Sequence, residues 1–127
     1  MNHSPTLDHV WDQVRAEFTL PTLDQVRERL LTIHEDPDPV LQQLIRIFID
    51  DGTYCPGYQF LPGLSLHPTV TALFRRAMEL KVPHNYFTAW MINPRKALHG
   101  RRPVDLLDTA PPAVLLTALE QTFPTRT

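Results

Sequence analysis

Trp90 to Thr109 reads WMINPRKALHGRRPVDLLDT. Asn93-Pro94 stops one helical pattern, Gly100 and Pro103 set reversals, and an apolar run resumes at Val104, Leu106 and Leu107. Turn chemistry this dense between two helical periods fixes a backbone path, and fixed irregular backbone is where binding residues tend to be displayed. Each residue type has a structural task. Trp90 packs under the turn, Pro94 ends a helix, Gly100 takes a backbone angle costly to other residues, and Pro103 opens the next turn. Leu98, Val104, Leu106 and Leu107 anchor the segment. Arg95, Lys96, His99, Arg101 and Arg102 are what it displays.

Working outward, Thr69–Lys81 and His84–Ile92 read as helices separated by Lys81-Val82-Pro83. Val70, Leu73, Phe74, Ala77 and Met78 line the first, and Tyr86, Phe87, Trp90 and Met91 the second. That spacing also suits a helix-turn-helix, with Arg75, Arg76 and Lys81 for phosphates and His84, Asn85 and Thr88 for base edges. Thr109 is expected to cap a last helix from Pro111-Pro112, with Val114, Leu115, Ala118, Leu119 and Phe123 facing inward. Toward the N-terminus, Ser4-Pro5 opens a helix striped by Leu7, Val10, Trp11, Val14 and Phe18. Thr22 and Gln25 form a capping box for a second helix lined by Leu23, Val26, Leu30 and Ile33, ending near His34. Asp38 and Pro39 start a third, Val40–Ile49, apolar nearly all round and therefore central, stopped by Asp50-Asp51-Gly52.

Residues 53–68, TYCPGYQFLPGLSLHP, are too rich in proline and glycine for a long element and too apolar for a solvated linker. They predict an ordered loop, a structural lid over the core or else an aromatic binding surface, with at most one isolated bridge in 53–66. The fold expected is all-α: a single compact domain of about six short helices over 1–127. Its parts are an acidic helical portion at 1–52, the loop at 53–68 and a basic portion at 69–127.

The formal net charge of −2 on 127 residues conceals this polarity. Residues 1–63 carry four Lys/Arg against ten Asp/Glu, and residues 64–127 carry eight against four. A basic half of that kind suits an anionic partner, an acidic protein groove or nucleic acid. At 43% hydrophobic and 20% charged residues the composition is globular. No apolar run approaches the roughly eighteen residues of a membrane helix, and MNHSPTLDHVWDQVRAEF lacks the apolar segment of a secretory signal. The lone Cys55 suits a reducing cytoplasm.

Catalytic chemistry has little to stand on. The six histidines fall in neither HxxxH nor HExxH spacing, and Cys55 has no partner cysteine. Glu35, Asp36 and Asp38 read as a solvated cap region. No glycine-rich phosphate loop or GxSxG is present. The expectation is a non-enzymatic protein with no catalytic residue, no metal and no cofactor.

Taken together, Trp90, Pro94, Leu98, Gly100, Pro103, Asp105, Leu106 and Leu107 follow a W-L-x-x-P-N-x-x-L-x-G-x-x-P-x-D-L-L pattern. The last third of the chain thereby resembles the C-terminal toxin-binding domain of the Xre/MbcA/ParS antitoxin family. Asn93-Pro94 has shifted order relative to the pattern's Pro-Asn, Arg101-Arg102 is a more basic pair, and the first seventy residues show no Xre domain. The resemblance implies a small helical unit that binds and inactivates a toxin, commonly of the RES class acting on NAD. The expected partner-binding residues are Trp90, Arg95, Lys96, His99, Gly100, Arg101, Arg102, Pro103 and Asp105. A DNA-binding regulator is the alternative, and self-association is left open.

Overall fold

The computed structural model describes residues 5–49 and 52–124, with side chains from residue 8 onward. The cap expected at Ser4, the Leu7 side chain and the Asp50-Asp51 stop lie outside the described residues. The chain divides into two compact units, Met1–His67 and Pro68–Thr127. Residues 64–67 are uncharged, so the charge asymmetry coincides with this division: four cations against ten anions, then eight against four. The described residues form six α-helices and one two-stranded sheet. The molecule is therefore mostly helical, and the purely all-α expectation is corrected by that sheet.

In the first unit, α1 (Pro5–Glu17) buries Val10, Trp11 and Val14. Helix α2 (Leu23–Leu31) opens on the capping box. The Thr22 N–H donates to Gln25 Oε1 at 2.9 Å, and the Gln25 N–H donates to Thr22 Oγ1 at 3.1 Å. Val26 and Leu30 are buried, whereas Ile33 lies past the helix end and is exposed. Helix α3 (Asp38–Leu41) is a single turn with no buried residue. Pro37 holds its N-cap position without a side-chain bond, so Asp38 is a helical residue and not the cap; its N–H donates to Asp36 Oδ1 at 3.0 Å.

The expected central helix 40–49 does not form. β1 (Ile47–Ile49) pairs antiparallel with β2 (Gly52–Tyr54), with Ile47 opposite Tyr54, Phe48 opposite Thr53 and Ile49 opposite Gly52. Ile45 and Ile47 are buried while Phe48 is half exposed, the alternation of a half-buried strand. Three isoleucines in five positions favour extended backbone because β-branched side chains pack well on a pleated surface.

The loop after β2 is ordered by the backbone of residues 19–22. Thr22 bridges Tyr54, the Cys55 N–H donates to Pro21 O at 2.8 Å, and the Gly57 N–H donates to Thr19 O at 2.7 Å. A Cβ at Gly57 would stand 2.7 Å from Thr19 N and 2.9 Å from Thr19 O, so only glycine permits this approach. Two 3-10 turns, Gly57–Gln59 and Pro62–Leu64, and an isolated Phe60–Leu66 bridge complete the loop. Phe60, Leu64 and Leu66 pack on the core of Val26, Leu30, Leu44 and Cys55. Gln59 is buried and does the work of a peptide group. Its Oε1 accepts from the Ile45 N–H at 2.8 Å, and its Nε2 donates to the carbonyls of Ile45 and Pro56, each at 3.0 Å.

In the second unit, α4 (Pro68–Glu79) buries Val70, Leu73, Phe74 and Ala77. It ends in a Schellman arrangement: the Val82 N–H donates to Ala77 O at 2.9 Å and the Lys81 N–H to Met78 O at 3.0 Å. Lys81 takes the left-handed position, at φ 62°, where glycine is usual. Helix α5 (His84–Ile92) buries Phe87, Thr88, Trp90, Met91 and Ile92. Helix α6 (Pro112–Thr122) buries Leu115, Ala118 and Leu119. Pro111 holds its N-cap position without a side-chain bond, so Thr109 is not the cap. The aromatic centre runs from Phe74 to Phe87, centroids 5.5 Å apart, and on to Trp90 at 6.1 Å. Met78, Tyr86 and Val114, expected inward, are exposed because each lies at the edge of its helix's apolar stripe. Among the described residues no helix is long and apolar enough to cross a membrane.

Candidate partner-binding site

The turn that joins α5 to α6 is built on buried apolar residues. Trp90, Leu98, Pro103, Val104, Leu106 and Leu107 are all buried. Trp90 is 1% exposed, and its Nε1–H donates to Thr122 Oγ1 at 3.1 Å, which ties the start of the turn to the end of α6. That hydroxyl donates in turn to Ala118 O at 2.9 Å. Trp90 thus supports the surface and offers no contact from it.

Between these anchors the backbone reverses tightly. The Arg95 N–H donates to Arg101 O at 3.0 Å, and the Gly100 N–H donates to Arg95 O at 2.9 Å. Lys96–Leu98 makes a 3-10 turn, and the chain escapes it through two successive left-handed residues, His99 at φ 58° and Gly100 at φ 81°. The sequence marks Gly100 for such an angle. His99 shares it, which residue type alone does not announce. Pro103–Leu106 forms the next 3-10 turn.

The basic side chains of this turn divide into two kinds. Arg102 is clasped by Asp105 in a two-pronged pair, Nε to Oδ2 and Nη2 to Oδ1, both at 2.8 Å. The Arg102 bond holds the Asp105 carboxyl below its ordinary range. The pair stiffens the turn and neutralises one of its cations. Lys96, His99 and Arg101 are exposed, and Arg95 is half-buried. Among the described residues no carboxylate pairs with Arg95, Lys96 or Arg101.

A shallow groove follows α6. One part of it, about 330 Å³, is lined by Ala97, Ala113, Val114, Thr117, Ala118 and Gln121. The next, about 620 Å³, is lined by Pro94, Arg95, Lys96, Ala97, Gln121 and Thr122. Small apolar residues therefore lead to a basic end. No short-range sequence signal marks Gln121 and Thr122, because the fold brings them to the turn from over twenty positions away.

The residues considered for DNA lie elsewhere on this unit and are mostly engaged. Arg76 is bonded to Glu120 at 2.7 Å and Glu79 at 2.9 Å, and both bonds raise its pKa. Thr88 has no exposed surface, so it cannot reach a base edge. His84 stacks edge-on against Phe74 at 4.8 Å. Arg75 and Lys81 are exposed, and Asn85 is half-buried.

In the first unit, Cys55 is fully buried, and burial pushes its thiol up to about 11 against a smaller opposing effect of Arg46. A thiol held protonated is a poor nucleophile. Among the described residues, no three His, Cys, Asp or Glu side chains gather as metal ligands. Comparison with protein-family models, with curated proteins and with solved structures returns no match.

Proposed function

We propose that the chain is a non-enzymatic binding protein that neutralises a protein partner through residues 90–109 and α6. Following the motif resemblance, that partner is a toxin of the RES class. The observation that supports this reading is the division of labour within the motif. Trp90, Leu98, Pro103, Leu106 and Leu107 are buried, whereas Lys96, His99 and Arg101 stand outward on a backbone held by its own hydrogen bonds. A rigid turn that presents Lys96, His99 and Arg101 beside an apolar groove suits an acidic protein surface, because the donors need little further ordering on binding.

Co-expression with the product of the adjacent gene tests the proposal. The expected result is a co-purifying complex, with relief of any growth arrest which that product causes alone. Lys96→Glu with Arg101→Glu should weaken the complex at least tenfold, mainly through the association rate. Both side chains are exposed, so the variant keeps its fold. No complex, or a complex indifferent to charge reversal, overturns the reading. Duplex DNA draws less support from its own candidate residues, since Arg76 is already paired and Thr88 is buried. Salt-sensitive gel shifts at micromolar protein, weakened by Arg75→Gln, would restore it.

A further inference from the structure

The basic end of the α6 groove holds an arginine in an unusual condition. Arg95 lines the cleft, yet its Nε is buried with no hydrogen-bond partner among the described residues. Buried polar nitrogens in folded proteins nearly always have an acceptor, and each exception asks for an explanation. The guanidinium also carries a full positive charge into a half-buried position without a counter-charge, and burial alone lowers its pKa. Elsewhere in this unit three of the four acidic side chains are spent on other arginines: Glu79 and Glu120 on Arg76, and Asp105 on Arg102.

Around Arg95 the cleft supplies what an anion needs. Lys96 adds a second cation with no carboxylate partner among the described residues. The Gln121 side chain is exposed and has no hydrogen-bond partner among the described residues, so its amide can donate. Thr122 is already committed to Trp90 and Ala118, which makes it a fixed wall. Pro94 and Ala97 offer apolar surface. The volume, about 620 Å³, exceeds that of a bare inorganic ion and lies within the usual range of ligand sites.

We infer that this cleft is an oxyanion site, in which Arg95 and Lys96 hold one carboxylate or phosphate group and Pro94, Ala97 and Gln121 meet the organic body that carries it. Planar guanidinium donors match the oxygens of either group, and a fixed anion offsets the unfavourable burial of the Arg95 charge. The site stands whether or not the rest of the groove meets a protein.

The test uses the full chain labelled with ¹⁵N, titrated separately with glutarate and with inorganic phosphate. Sodium chloride holds the ionic strength constant, and Arg95→Lys assigns the Arg95 Nε–H signal. The expected result is a saturable millimolar shift of that signal and of the Gln121 side-chain amide, while Arg75 stays still. Lys96→Gln should weaken the effect roughly three- to tenfold. Arg101→Gln should leave it within about twofold. Saturation with glutarate alone identifies a carboxylate as the natural group, and saturation with phosphate alone a phosphorylated one. Both outcomes support the site. A shift of Arg95 no larger than that of Arg75, or one indifferent to Lys96→Gln, overturns it.

Discussion

The two units solve the same problem, a small core, with opposite materials. The first closes its irregular stretches with polar groups: a capping box at Thr22, the Gln59 amide between Ile45 and Pro56, and loop-to-segment backbone bonds at Cys55 and Gly57. The second relies on apolar groups, with the rings of Phe74, Phe87 and Trp90 in sequence and Leu115 and Leu119 of α6 fully buried. Its charged side chains are partly paired, Arg76 with Glu79 and Glu120 and Arg102 with Asp105, while Lys96 and Arg101 are left for display. The difference shows why Lys96 and Arg101 can stand outward: the core of their unit closes on apolar groups without them.

The comparison can be broken most directly at the two points where each unit is least replaceable. Trp90→Ala should cost roughly 3–5 kcal/mol, the loss of a large buried ring and its bond to Thr122. Denaturant midpoints measure it, and a cost below about 1 kcal/mol would show that the rings do not hold the second unit. In the first unit the corresponding change adds an atom. Gly57→Ala should cost roughly 2–3 kcal/mol, because the new methyl meets the backbone of Thr19, which cannot move aside cheaply. Hydrogen exchange should register this as lost protection at Cys55 and Gly57, and a neutral result would refute the close approach.

Cys55 gives a pH-dependent contrast of similar size. Its thiol titrates near 11 when folded, against about 8.5 in an unfolded chain. Below the lower value both states are protonated and nothing is lost. Between the two, the unfolded chain ionises first, so stability should fall by about 3 kcal/mol as pH rises through that window. Cys55→Ala should flatten that part of the curve, and an unchanged slope would assign it to other groups. The smallest effect sharpens the picture of the second unit. Lys81→Gly should stabilise by roughly 0.5–1 kcal/mol, since Lys81 holds a left-handed angle that glycine adopts without strain. A destabilised variant would mean that the lysine side chain contributes packing which outweighs the strain.

What the sequence discloses follows the range of the interaction. The capping box is a three-residue signal and appears where Thr22 and Gln25 predict it. Stripes such as Leu73, Phe74 and Ala77 are equally local, and their residues are buried. Residues 44–49 mislead because Leu44, Ile45 and Phe48 fit a helical face while Ile45, Ile47 and Ile49 fit a strand face. Asp51-Gly52 is a hairpin signal as well as a helix stop. Pairing with residues 52–54 decides between them, and that lies outside any local window. The candidate site divides in the same way. The buried anchors and the basic turn are legible in residues 90–109. The two classes of arginine are not, because the Arg95 environment depends on the end of α6.

Gln59 carries a consequence for how the molecule ages. Its side-chain amide is held by three bonds out of contact with water, where hydrolysis to glutamate has no route while the chain is folded. Glutamate there would set a carboxylate oxygen against the carbonyls of Ile45 and Pro56 in place of a donor, so a chain damaged when open would close poorly afterwards. Conversion at Gln59 would thus record past unfolding. Peptide mapping after long incubation should find it in denaturant and not in native buffer, and equal conversion in both would show that the native fold gives the amide no shelter.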